Sequence, residues 1–418
     1  MESGASSGPD GGRRNSILSA PRAGTLLIAL LGFLAAFGPA SMDMYLPTLP
    51  ALAEFFATST SRAQLTLSGF TIGFAAGQLF YGPMSDRFGR KRVLVSGVAL
   101  YCVATVFCAL ATSVEELIAM RFVQALGGGA GVVLTRAIVR DLLSGDESAR
   151  ALSLMLLVPS IAAFAGPFVG GQLLLWSDWR SIFWLLVVFG IIALALTLSM
   201  LPETLPPEKR KQLNVTGVLR ECGHILGHRQ AMGYMFCGAF SFAAMFAQLS
   251  GTPFIYITLF GVPPEYFGFL FGLNILGIMA GSWVNSRLVV RFGMRRMLVV
   301  GTSIALFGGL TLMATAWFGI GGLAGIVVPV IIFMVPHNIT NANASAATLD
   351  HFPHVAGTAS ALIGAIRFGV GASVGALVGL LHDGTSVPMA AVIAGCAILS
   401  AASFWLLTHD DGKATQAD

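Results

Sequence analysis

Charged residues divide the chain into long apolar runs. Runs 23–42 (continuing past Asp43 to 53), 63–85, 93–114, 117–135 (interrupted by Arg121), 151–177 and 181–202 come first. After a polar segment follow 230–264, 266–286, 297–349, 351–382 (interrupted by Arg367) and 384–409. A helix needs about 20 apolar residues to cross a bilayer. The run 297–349 is too long for one crossing and splits at the glycine-rich 316–325, AWFGIGGLAG. The pattern therefore predicts an all-α membrane protein with twelve transmembrane helices. They fall into an N-terminal bundle of six (23–202), a linker (203–229) and a C-terminal bundle of six (230–409), between tails 1–22 and 410–418.

Composition agrees. Of 418 residues, 55% are hydrophobic and 11% charged, against about 25% charged in soluble domains. Such a chain cannot cover a water-facing surface and belongs in lipid. The tail 1–22 is rich in Gly, Ser and Arg, a composition that predicts disorder. Arg13 and Arg14 precede the first run as in a twin-arginine signal, but the run is long enough to span and many follow it, so a retained first helix is expected. Twenty of the 24 Lys and Arg fall on the side shared by the two tails, and two on the other. That bias predicts both termini on the cytoplasmic side. The five cysteines are scattered and read as packing residues rather than metal ligands. No phosphate loop and no nucleophile–base constellation appears, so an enzyme is not expected, and nothing suggests nucleic acid.

The chain repeats itself. RFGRKRVL at 87–94 matches RFGMRRML at 291–298, an offset of 204 residues. Parallel six-helix repeats with a substrate site between them are one transporter architecture. In the loop 82–92, GPMSDRFGRKR, Gly89 permits a tight turn, and Asp86 can pair with Arg136 or Arg140 at another helix end. The second copy has Val290 in place of the acid.

Ionisable groups inside spans are costly and mark function. Asp43 is the one acid in the run 23–53, and Arg121 interrupts the fourth span. Each lies five residues, roughly 7.5 Å, outward of its run's centre. Equal depth makes them a candidate ion pair; ending the first span at 42 would leave Asp43 at its edge instead. Arg367 lies near the middle of the eleventh span, followed by Gly371, Gly375 and Gly379 at four-residue spacing. It could contact substrate carbonyls or serve as a structural hydrogen-bond hub. His337, Asn338, Asn341 and Asn343 on the tenth span could join helices or line a vestibule. Phe37, Tyr45, Gln124, Gln248, Tyr256 and Asn274 are further cavity candidates. Pro167 bends the fifth span, and the small residues around it allow close helix approach.

Several of these stretches resemble one family. The loop 82–92, with Gly82, Asp86, Arg87, Gly89 and Arg90, resembles the signature loop G-x-L-A-D-R-x-G-R-K of the major facilitator superfamily. In that family the loop is a conformational latch. Arg121 and Gln124 resemble its R-x-x-Q-G motif, whose arginine is linked to proton transfer. Gly166, Pro167, Gly170 and Gly171 resemble the antiporter motif of proton-coupled drug exporters. SMDMYLP (41–47), PETLPPE (202–208), LDHFPHVAGTAS (349–360) and IRFGVG (366–371) resemble the Bcr/CflA drug-resistance subfamily, closest to its bicyclomycin-resistance proteins. The resemblance implies drug:proton antiport in a bacterial inner membrane, driven by the proton-motive force without a cofactor, by a monomer. Bicyclomycin is the implied substrate, with chloramphenicol and florfenicol as further ones. Multidrug relatives carry a second acid where this chain has Ala35, which favours neutral over cationic drugs. Uptake of a small metabolite is the alternative, and a non-transporting receptor a third reading.

Overall fold

The computed structural model describes residues 21–408, apart from 144 and 211–214. The expected tails lie largely outside these residues. The first span is α1 (Pro21–Ala35), α2 (Phe37–Asp43), a 3-10 turn (Leu46–Thr48) and α3 (Leu49–Phe55), bent by 42° at Ala36. It continues well past Asp43, as the longer run predicts. Next come α4 (Thr60–Phe88), α5 (Arg90–Leu110), α6 (Val114–Leu142), α7 (Gly145–Met155), α8 (Leu157–Trp176) and α9 (Arg180–Met200). The linker holds α10 (Val215–Leu226), which packs on the second half. That half comprises α11 (Arg229–Pro253) with a π-turn at Phe254–Leu259, α12 (Pro264–Phe318), α13 (Ala324–Met334), α14 (His337–Asp350), α15 (Ala356–Leu380) and α16 (Val387–Leu407).

Among the described residues nine helices are long and apolar enough to cross a bilayer, and the bent first span is a tenth. The 55 residues of α12 hold two crossings broken at Gly293, and α4 completes twelve. A helix of 21 residues such as α5 reaches about 31 Å, the thickness of the hydrocarbon core. Glycines at 319, 321 and 322 take positive φ and form the break anticipated in 297–349.

The repeat is visible in the backbone. Gly89 has φ 98° and ψ 151°, and Gly293, 204 residues later, has φ 78° and ψ 159°. That region is nearly closed to residues with a side chain, at a cost of about 1–3 kcal/mol. The two RFG turns therefore share one geometry. α4 packs along α15 and α8 along the first half of α12, and these two contacts join the halves.

Candidate functional site

The loop at Gly89 is the first element to depart from expectation. Asp86, at the end of α4, pairs with Arg90, the first residue of α5, at 2.6 Å, not with Arg136 or Arg140. The non-helical turn at Gly89 folds the first residue of α5 back onto the last turn of α4, so the partner lies on the next helix and only four residues away. Arg90 also reaches Asp141 at the end of α6 at 3.0 Å, and its backbone N–H donates to Glu203 of the linker at 2.8 Å. Thr204 donates to the same Asp141 at 3.2 Å. The buried Arg90 thus ties two helices and the linker together at the arginine-rich end, called the basic face below. Arg87 sits over the ring of Phe88 at 5.0 Å, and Gly82 faces open space. Asp141 was missed by sequence reasoning, although an acid directly after Arg140 at a span's end was a usable signal.

Arg121 is fully buried. Its guanidinium lies over Phe70 at 4.2 Å, Tyr45 at 4.5 Å and Phe183 at 5.8 Å. It donates to Gln124 Oε1 at 2.7 Å, and Gln124 donates to Thr105 at 2.9 Å. The Tyr45 hydroxyl donates to Thr66 at 2.7 Å. Arg121 Nε and Nη2 have no hydrogen-bond partner. The structure thus brings Arg121, Gln124 and Tyr45 together, but it does not pair Arg121 with Asp43: no ion pair between them occurs among the described residues. Residues two apart on a helix point about 200° apart. With Tyr45 turned to Arg121, Asp43 is turned away from it.

Asp43 faces α8 instead. A Cβ on Gly166 would lie 3.0 Å from the Cβ of Asp43, and one on Gly170 would lie 2.0 Å from the Met44 carbonyl. A Cβ on Gly171 would lie 2.4 Å from the carbonyl of Pro264, in the other half. The G-P-x-x-G-G stretch therefore lets three chain segments meet: the Asp43–Met44 elbow, α8 and the start of α12. Asp43 is 9% exposed and is the only acid among the buried described residues.

The other cavity candidates divide. Phe37 is fully buried against Tyr101 (4.3 Å) and Phe189 (5.3 Å), inside the first bundle, so it belongs to the core and not to a cavity. Gln248, Tyr256 and Asn274 are buried, and each keeps a polar side-chain atom without a partner. Asn343 donates to Asn285 at 2.8 Å and Asn338 to Ser282 at 2.9 Å, so these two join α14 to α12. Arg367 donates to the Asn341 carbonyl at 2.9 Å and to Ser345 at 2.6 Å.

The halves meet most closely at the end away from the basic face. There Ser61 donates to the Gly379 carbonyl and Gln64 to the Ser250 carbonyl at 2.8 Å, while within the second half Ser250 donates to the Gly375 carbonyl at 3.2 Å. Midway, Phe74 meets Phe368 at 5.1 Å. A Cβ on Gly364 would still touch Gln78, but one on Gly82 or Gly357 would meet nothing within 4 Å. The bundle is clasped at the far face and parts toward the basic face.

The family model described as Major Facilitator Superfamily matches residues 28–376. The chain belongs to the major facilitator superfamily. It is a transporter by family and not an enzyme. This facilitator is 35% identical to a bicyclomycin resistance protein homolog of Haemophilus influenzae, over 93% of its own length and 97% of the relative's. It is 30% identical to a chloramphenicol resistance protein of Pseudomonas aeruginosa, over 87% and 85% of the two chains. Its fold matches the crystal structure of a D-xylose-proton symporter with a TM-score of 0.72 at 16% identity, covering 94% of this chain and 99% of that one.

Proposed function

We propose that this facilitator exports a neutral polar antibiotic of the bicyclomycin class across the bacterial inner membrane in exchange for protons, acting as a monomer with both termini in the cytoplasm. Chloramphenicol and florfenicol are further candidate substrates. The observation that carries the reading is Asp43, the one buried acid among the described residues, seated without a counter-ion at the junction of α2, α8 and α12. An unpaired charge at that depth is costly, the cost falls on the ionised form, and taking up a proton removes it. The names of the two resistance relatives support a drug as the cargo.

In this reading the basic face is cytoplasmic, and the clasped far face closes the outer side. Asp43 takes a proton when the outer side is open and releases it when the inner side is open and drug binds. Gly166 and Gly170 hold the Asp43–Met44 elbow and Gly171 holds the other half. A change of charge at Asp43 therefore bears on the contact between the halves. One inward proton at 100 mV and one pH unit supplies about 3.7 kcal/mol, enough for a neutral-drug gradient of several hundred-fold.

Proteoliposomes loaded with bicyclomycin test the proposal. A proton gradient should drive transport by the wild type, and Asp43→Asn should bind drug but lose the dependence on the gradient. Undiminished coupling in Asp43→Asn would sink the assignment. Export separates from uptake in cells: expression should lower bicyclomycin accumulation, and a rise would favour a permease.

A further inference from the structure

We infer that Arg367 and Asn341 form the polar half of a drug subsite that selects neutral molecules carrying both a carbonyl and an N–H or O–H group. The inference rests on the export reading above, and it adds the chemistry of the ligand and the residues that recognise it.

Arg367 sits near the middle of α15, and no acid pairs with it among the described residues. Its Nη2 is served by the Asn341 carbonyl and the Ser345 hydroxyl, while Nε has no acceptor. Asn341 uses its amide nitrogen on Ser241 at 3.3 Å and on the His337 carbonyl at 3.0 Å. Its side-chain oxygen has no donor. One turn of α14 and one of α15 thus leave an unused donor and an unused acceptor on two residues joined by a hydrogen bond. A polar cluster built only for packing would satisfy its own members, because each unpaired buried group costs about 1–3 kcal/mol.

Aromatic rings flank the cluster. Phe368, the next residue on α15, meets Phe242 of α11 at 4.9 Å and Phe74 of α4 at 5.1 Å. Phe242 in turn lies 6.2 Å from the His337 ring. The wall crosses from one half of the molecule to the other, where the halves begin to part toward the basic face. Arg367 is only partly buried, whereas Asn341 and the two unpartnered atoms are covered in this state, so a ligand reaches them by displacing the side chains above them.

The ligand chemistry follows from the groups. A carbonyl can exchange with the Ser345 hydroxyl on the guanidinium and take the N–H the protein leaves unused. An amide N–H or hydroxyl on the same molecule can donate to Asn341 Oδ1. A flat or apolar portion lies against the rings. The uncompensated positive charge repels cationic drugs, and repulsion of the wrong ligand is as effective a source of specificity as attraction of the right one. This argument is independent of Ala35 in the other half.

Binding to the purified full-length chain in detergent tests the site without requiring transport. Chloramphenicol is the neutral probe and tetraphenylphosphonium the cationic one. Arg367→Gln should weaken chloramphenicol at least tenfold and strengthen tetraphenylphosphonium, with Arg367→Lys intermediate. Asn341→Asp, which places an acid beside the arginine without changing side-chain size, should move both affinities the same way. Unchanged affinities in either variant overturn the inference. So does a wild type that prefers the cation, or a loss of both probes in step with a lowered melting temperature, the mark of a purely structural hub. A wild type that binds chloramphenicol but does not move it against a proton gradient would count against export and leave this site standing.

Discussion

Arg121 is held by rings and an amide rather than by an acid. Three aromatic faces surround it, and a cation–π contact in a desolvated setting is worth about 2 kcal/mol. That arrangement lets a buried cation persist while Asp43 is engaged elsewhere. At the basic face a different residue titrates. His228 Nδ1 accepts the N–H of Ala231 at 3.3 Å and caps α11. Burial first, and then the neighbouring His351, hold its imidazole below the ordinary histidine range. The folded state thus favours the neutral ring. The contribution to stability is complete above about pH 6.5 and is lost as pH falls below it, through the lowered folded value. Protonation also removes the capping acceptor. The hydrogen-exchange protection factor at the start of α11, taken relative to the intrinsic rate at each pH, should therefore fall between pH 7.5 and 5.5. His228→Asn, a good cap that does not titrate, should flatten the response, and an unchanged pH dependence in that variant would refute the role.

The helices themselves were readable, because a bilayer demands runs of about 20 apolar residues and charges end them. The RFG repeat was readable too, since a glycine-only turn leaves a fixed letter in the sequence. Depth along a helix could also be counted. The direction a side chain faces around its helix could not. That is why Asp43 meets Gly166 instead of Arg121, and why Asp86 turns to Arg90. The stripe Gly371, Gly375 and Gly379 signalled close packing but not its partners. A Cβ on Gly379 would lie 2.4 Å from Gln64 Oε1 and 3.2 Å from Ser61 Cα. Gly379→Val should push α4 off α15 and break the clasp. An impermeant maleimide added from the far side should then label a cysteine placed at Ser250 several-fold faster than in the parent background. Equal labelling would show that the glycine is not what keeps the two helices in register.

As a whole, the molecule has two halves with one backbone plan and unequal furniture. The first RFG turn anchors the Arg90 network, whereas its counterpart has Val290, which is 88% exposed. The far face is closed by Gln64, Ser61 and Ser250 without any ion pair between these residues and their partners. Neutral hydrogen bonds contribute about 0.5–1.5 kcal/mol each, so such a clasp is weak enough to open in a transport cycle. In the proposed export cycle the clasp must open for a drug taken from the basic face to leave at the far face. Cysteines at Gln64 and Ser250, joined by a short bis-maleimide, should fix the clasp. The joined protein should still bind chloramphenicol from the basic face, but move no drug even under a full proton gradient. The same double variant without the linker should retain transport. If the joined protein carries drug at the unjoined rate, the far face is not the gate, and the two halves do not rock about the contact of α4 with α15.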